Sequence, residues 1–344
     1  MRLPRSAPPV GVVLVVGIAL SVGTVLAKTL GSAEDRERPP SGVYETYAWS
    51  PDAAALSARL AQRYSPSART VYVASSSSWT DALAGTPLTS GGALFLVDAE
   101  ATAADDLDIG DATQVQQVVV LGGEAAVSRA VEASLRRQFP DAVLERIAGE
   151  ERYATAARLA LRAGPADTVL LASGEDYPDA LSAGAAATQL GAAVLLTELG
   201  RVPAVTVAAL RSLAVDDVRV IGGESAVGPA VIAQLEALGI TVRRVSGADR
   251  YLTAVEVART FFGGHDTQAF LADGDSFQAA VITSSSAANV GAPLLLKRAA
   301  CTPVGVSDYL AESGVAWVEN AAIDPPGGAT VSRLDEPCEA ADSR

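Results

Sequence analysis

One pattern of eleven residues occurs twice in this chain, and nothing else in the sequence constrains the fold so strongly. Arg146, Gly149, Arg152, Tyr153, Thr155 and Ala156 spell Arg-x-x-Gly-x-x-Arg-Tyr-x-Thr-Ala. Arg244, Gly247, Arg250, Tyr251, Thr253 and Ala254 spell it again, with an offset of 98 residues from Arg152 to Arg250. A second pair of segments agrees: Val118–Glu124 recurs as Val218–Glu224 at an offset of 100. Solenoid units run roughly 20 to 50 residues, so this period is too long for one. It is long enough for a small domain with its own core. The chain therefore reads as one module copied about three times, over 49–145, 146–243 and 244–344. The first copy keeps Val73–Leu83 and the Leu121–Glu124 turn but opens with Trp49-Ser-Pro-Asp-Ala53 instead of the Arg-Tyr pattern.

Within the second copy, helical and apolar runs alternate. The Ala- and Leu-rich run from Arg152 follows two acidic residues and predicts a helix. Asp167–Ser173, Ala193–Thr197, Val218–Ile221 and Ile240–Val245 predict strands. Helices are expected from Asp179 to Leu190, from Pro203 to Leu213 and from Ser225 to Leu238, the last opened by the Gly222-Gly223-Glu224 turn. Strands alternating with helices imply right-handed crossovers and parallel sheets covered on both faces. The expected fold class is α/β: three tandem Rossmann-like or flavodoxin-like subdomains.

Before the repeats, residues 1–28 read as a signal peptide or N-terminal membrane anchor. Arg2 and Arg5 precede an apolar run from Val10 to Ala27, close to the roughly 20 residues that span a bilayer, and Val25-Leu26-Ala27 suits a cleavage site. In both readings the remainder is exported, and the membrane is reached only through this segment. Residues 29–48 read as a tether. In an exported chain the two cysteines, Cys301 and Cys338, point to a disulfide; two buried thiols are the alternative. A single histidine, His265, leaves little for a transition metal, so no cofactor is expected, although the many carboxylates leave bridging calcium open. The net charge of −14 argues against nucleic acid and complicates an anionic polymer as ligand.

Each candidate site residue has a plain structural reading. Arg152 and Arg250 could hold an anion in a forked contact, but a salt bridge locking one repeat to its neighbour suits a residue repeated in a symmetric assembly better. Asp81 and Asp179 open the Ala-rich helix, where a carboxylate caps free N–H groups; Ala279 takes that place in the third copy. Gly122-Gly123 and Gly222-Gly223 lack the spacing of a phosphate loop and read as tight turns. The run Ser75–Ser78 has no Gly-x-Ser-x-Gly elbow and no obvious histidine base.

Taken in order, the Arg-Tyr pattern, Ala-Ser-Gly-x-x-Tyr-Pro-Asp-Ala-Leu-Ser-Ala, Gly-Ala-x-x-Leu-Leu-Thr and Val-Ile-Gly-Gly-Glu-Ser-Ala-Val resemble the cell-wall-binding type 2 repeat of Gram-positive bacteria. The resemblance covers the chain from about Trp49 onward. It implies a pseudo-threefold arrangement of three Rossmann-like subdomains and non-covalent attachment to secondary wall polymers, usually anionic. It marks Arg146, Arg152, Arg244, Arg250, Asp81 and Asp179 as interface or polymer-contact residues. Many members add an amidase or protease domain, for which this chain is expected to have no room. The expectation is an exported, non-catalytic wall-binding protein. A surface scaffold for another protein and a carboxylate-dependent wall glycan hydrolase are the alternatives.

Overall fold

A computed structural model describes residues 43–99, 107–108, 112–263, 267–323 and 338. The expected leader, the tether up to residue 42 and His265 lie outside them. The chain starts with β1 (Tyr44–Ser50). The first repeat follows as α1 (Ala53–Tyr64), β2 (Thr70–Ser75), α2 (Trp79–Gly85), β3 (Ala93–Val97), β4 (Gln117–Leu121), α3 (Arg129–Gln138) and β5 (Val143–Ile147). The second has α4 (Arg152–Ala163), β6 (Thr168–Ser173), α5 (Ala183–Leu190), β7 (Ala193–Thr197), α6 (Ala204–Ser212), β8 (Asp217–Ile221), α7 (Pro229–Ala237) and β9 (Thr241–Val245). The third has α8 (Arg250–Phe262), β10 (Gln268–Asp273), α9 (Phe277–Val290), β11 (Leu294–Lys297), α10 (Val304–Glu312) and β12 (Trp317–Ile323). Among the described residues no helix is long and apolar enough to cross a membrane.

The strands form three parallel four-stranded sheets, β3-β2-β4-β5, β7-β6-β8-β9 and β11-β10-β12-β1. Each has the same order, with its first strand inside and its second at one edge. The fold class is the expected α/β. The edge strands β3 and β7 and the inner strand β6 are apolar runs buried along nearly their whole length, as helices on both faces require.

Two local expectations change. The helix at Asp179 tightens into a 3-10 turn over Ala180–Ser182 before α5. The Gly222 turn does not open a helix directly: Gly222 takes φ 110°, Ala226 N–H donates to Gly223 at 3.1 Å, and α7 begins only at Pro229. Proline suits a first helical position because its missing N–H would go unpaired there.

The tether expectation is corrected at its end. Residues 44–48 belong to β1, which pairs in parallel with β12 over Tyr44↔Trp317 to Ser50↔Ile323. The first residues of the described chain thus complete the last sheet. Its register carries a buried polar clasp. Glu319, with a fully buried side chain, accepts from Arg63 Nη1 at 2.7 Å, Tyr64 Oη at 2.7 Å and Thr46 Oγ1 at 2.6 Å. Asn320 donates to Glu45 at 2.8 Å, and Tyr44 stacks on Trp317 at 4.7 Å. Burial opposes the Arg63 charge, yet the Glu319 carboxylate outweighs it and raises the guanidinium pKa. Burial, with the Glu319 charge next, pushes the Tyr64 hydroxyl far up, so it stays a donor.

Three equivalent helices, α2, α5 and α9, pack on one another at the centre. The main hydrophobic cluster runs from Ala48 to Ala321 and draws on all three repeats, while two smaller clusters lie on the outer faces of the second and first. Thr86, Gly184 and Ser284 are equivalent positions, 98 and 100 residues apart. A Cβ on Gly184 would stand 2.7 Å from Thr86 and 2.8 Å from Ser284 Oγ. Ser284 Oγ accepts from Ala185 N–H at 3.0 Å, and Ser285 donates to Thr89 at 2.8 Å. Small side chains let the helices approach, and buried hydroxyls settle the backbone and one another.

The cysteine expectation is met. Cys301 and Cys338 are bonded, with Cα atoms 4.9 Å apart, and Cys338 N–H donates to Thr302 at 2.9 Å. The bond ties residue 338 to the loop before α10.

Three outcomes follow. Glu319→Ala leaves the buried Arg63 without its carboxylate and should cost about 3–5 kcal/mol in urea unfolding, whereas Arg136→Ala, which removes an exposed pair, should cost under about 1 kcal/mol. Gly184→Ala should destabilise by about 1–3 kcal/mol through overpacking, although alanine alone would favour the helix by about 1 kcal/mol; a more stable variant would show slack at the axis. Reduction of the 37-residue loop closure should lower stability by at most about 4 kcal/mol, and intact mass should rise by two hydrogens.

Candidate functional site

The repeated pattern sits at the junction where the last strand of one sheet enters the first helix of the next repeat. Arg146, on β5, sends Nη1 to the Gly122 carbonyl at 2.9 Å and pairs with Glu132 at 2.7 Å. Arg244, on β9, sends Nη1 to Gly222 at 2.6 Å and Nη2 to Val227 at 2.7 Å. Both arginines hold the carbonyl of a left-handed glycine turn. Three residues later the chain bends into the helix at Gly149 or Gly247, where a Cβ would collide with the helix backbone. The hydroxyl of Thr155 accepts from Gly149 N–H at 2.9 Å, and that of Thr253 from Gly247 N–H at 3.0 Å. These bonds satisfy amide groups that the sharp bend leaves unpaired.

Arg152 and Arg250 also reach carbonyls. Arg152 Nη1 donates to Gly174 at 2.6 Å, and Arg250 Nη1 to Gly274 at 2.8 Å and Asp275 at 2.7 Å. Tyr153 and Tyr251 lie flat enough against these glycines that a Cβ on Gly174 or Gly274 would strike the ring. The expected salt bridge to a neighbouring repeat is therefore corrected: the hydrogen bonds stay inside the arginine's own repeat, because the β6 and β10 carbonyls are nearer. What crosses the junction is weaker. Asp81 is buried, accepts a hydrogen bond from Thr155 and lies within the electrostatic reach of Arg152.

Neither aspartate makes a capping hydrogen bond, although Asp81 lies in the first turn of α2 and Asp179 stands at the N-cap of the 3-10 turn. Ser78 precedes α2, and Asp81 points to the second repeat and to its own Gly122 turn. Asp179 makes no capping bond; its Oδ2 accepts from Gly223 N–H at 3.4 Å. That contact occupies a turn amide with a carboxylate, which supports the tight-turn reading of Gly222-Gly223. In the third repeat Ser276 caps α9 through Ala279 N–H, so the aspartate has no counterpart to replace. The serine run is also structural in part: Ser75 Oγ accepts from Ser77 N–H at 3.0 Å, and Ser76 accepts at its carbonyl from Gln278 at 3.1 Å.

Burial raises the Asp81 pKa above the ordinary carboxylate value, with the Thr155 bond and Arg152 opposing. Burial raises Asp273 in the same direction. Among the described residues no group of three or more His, Cys, Asp or Glu is placed to hold a metal ion.

Among the described residues two clefts and a ring cluster stand open. A cleft of about 680 Å³ runs along α1, edged by Trp49, Asp52, Arg59, Gln62 and Phe95, and a cleft of about 390 Å³ lies at the equivalent place along α4. At one end of the axis three rings meet: Trp79 and Phe277 each stand 6.0 Å from Tyr177, with planes inclined at 60°. They are equivalent positions at the start of the central helices, and the repeat pattern in the sequence contained this signal unread.

Arg146→Ala removes a half-buried guanidinium from a carbonyl and a carboxylate and should cost about 2 kcal/mol in denaturant unfolding; Arg152→Ala, at an exposed side chain, should cost about 1 kcal/mol. The raised Asp81 pKa means that the folded protein binds this proton more tightly than the unfolded chain. Stability should therefore fall as pH rises from about 4 through the raised value, and Asp81→Asn should remove that part of the slope. Parallel unfolding series from acid to neutral pH give the comparison.

Comparison with known proteins completes the picture. The profile of cell wall binding domain 2 matches residues 48–132, 146–232 and 244–321. The chain is similar to N-acetylmuramoyl-L-alanine amidase LytC of Bacillus subtilis, 28% identical over 176 residues, which are 51% of this chain and 35% of LytC. It is similar to the amidase enhancer of the same organism, 32% identical over 157 residues, 45% of this chain and 22% of that protein. The chain thus spans well under half the length of these relatives. In fold it is similar to Cwp6 from Clostridium difficile, with a TM-score of 0.72 and 18% identity over 86% of this chain and 49% of Cwp6. Cwp8 from the same organism gives 0.72 and 19% over 83% and 50%. With three profile matches covering its three repeats, the chain belongs to the cell wall binding domain 2 family.

Proposed function

We propose that this chain attaches non-covalently to a secondary polymer of the cell wall, outside the cytoplasm, and does no chemistry on it. The observation that carries this reading is the family match, which takes in most of each repeat and leaves out 133–145 and 233–243 between its three stretches. The structure of the repeated pattern agrees with a binding module. Arg146, Arg152, Arg244 and Arg250 spend hydrogen bonds on the fold's own carbonyls, and the central helices hold small side chains rather than a cluster of reactive ones. The amidase activity named for one relative belongs to that protein, of which the aligned part is 35%.

An anionic polymer has to be met locally, since the chain as a whole carries −14. Exposed arginines or a bridging calcium ion supply that contact. The purified protein should sediment with isolated Gram-positive walls and lose most of this on walls stripped of secondary polymers. A chelator tells the two modes apart: bridging calcium predicts release, and direct arginine contact predicts release by salt instead. Labelled wall material should stay insoluble throughout. Equal sedimentation with stripped walls would remove secondary polymers as the target, and solubilised label would make the protein a hydrolase.

A further inference from the structure

Trp79, Tyr177 and Phe277 come from three different repeats and meet on the axis, at the mouth of the central helices. All three are half-buried: one side rests on the shared core, the other reaches solvent. The cluster is sewn across repeats. Tyr177 Oη donates to the Asp275 carbonyl at 3.3 Å, and Gln278 to the Ser76 carbonyl at 3.1 Å. Asp176, whose carboxylate accepts from Tyr177 N–H at 2.9 Å, is exposed, as are Ser77, Glu175 and Asp275 in the neighbouring loops.

Aromatic rings beside hydroxyl and carboxylate acceptors combine apolar contact with hydrogen bonding. A sugar ring presents the matching surfaces, with C–H groups on its faces and hydroxyl donors around its edge. Charge then selects among wall components. Asp275 pairs with Arg250 at 2.7 Å, whereas Glu175 and Asp176 accept from the neutral N–H groups of Leu199 and Tyr177 and keep their charge, so these two oppose a phosphate or carboxylate ligand. We propose that this ring cluster is a binding site for an uncharged sugar ring of a wall glycan. The proposal rests on the wall-binding reading and narrows it. Because the site lies on the axis, there is one per chain, whereas sites built on the repeated clefts would come in multiples.

Trp79 reports on the site once Trp49 and Trp317 are replaced by phenylalanine. Chitotetraose or maltotetraose should change its emission saturably at one site per chain, and poly(glycerol phosphate) should not. Tyr177→Leu keeps apolar bulk and removes the ring, and should weaken binding about tenfold, the scale of one aromatic contact. Its thermal unfolding, measured alongside, separates lost binding from lost fold; Phe277→Leu serves if Tyr177→Leu does not fold. No saturable change with either sugar overturns the site, as does a response that survives both ring substitutions in folded protein. Sedimentation with walls keeps the two readings apart. Wild-type sedimentation without a sugar response removes the axial site and leaves wall attachment standing. A wild-type chain that does not sediment removes wall attachment itself.

Discussion

The close approach of three small-residue helices at the axis is the contact on which the remaining architecture depends. Gly184 leaves no room for even one methyl group between Thr86 and Ser284. Helix backbones can meet this closely only where side chains are hydrogen, hydroxymethyl or hydroxyethyl. The hydroxyls then need partners, and they find them in Ala185 N–H and in one another. Because the helices touch, the inner faces of the three sheets share one hydrophobic cluster instead of three. Apolar burial scales with the area removed from water, so a shared core stabilises each repeat through its neighbours.

A shared core does not by itself close a ring, and β1 supplies the closure. It completes the third sheet and leads straight into α1 of the first repeat, as β5 leads into α4 and β9 into α8. Three equivalent strand-to-helix junctions result, two of them with the Arg-Tyr pattern, although the chain is linear. The Glu319 clasp shows how this long-range pairing is kept in register. A buried ion pair adds little net stability against apolar residues of the same bulk. If β1 slipped by one residue, however, Thr46 would turn away and the Glu319 charge would lose that donor.

The repeated pattern is then intelligible as carpentry. Its first arginine holds a glycine turn, its glycine lets the bend touch the helix, its threonine satisfies that glycine, and its second arginine and tyrosine brace the next strand end. Residues so occupied are poorly free to seize a polymer. The axial site proposed above uses instead side chains that vary between repeats, the rings Trp79, Tyr177 and Phe277.

Local chemistry made much of this legible in the amino-acid order. Periodicity placed β6 to β9, α4 and α6 within a residue or two, because buried parallel strands are apolar runs, whereas α5 and α7 begin four residues later than expected, at Ala183 and Pro229. The motif order announced the family, and two cysteines in a chain expected to be exported announced the disulfide. What stayed hidden was partnership over distance. Residues 44–50 have the aromatic and threonine content of a strand, but nothing near them in the chain says that β12, more than 260 residues away, is the edge they join. Arg152 stands beside acidic residues in sequence, yet it bonds to a carbonyl brought to it by β6. Asp81 looks like a cap until the second repeat arrives against it. The sequence determined which segments become strands, helices and turns, since those depend on neighbours a few residues away. Only the tertiary structure decided which groups meet, because a hydrogen bond or a ring contact depends on distance in space after the chain has closed on itself.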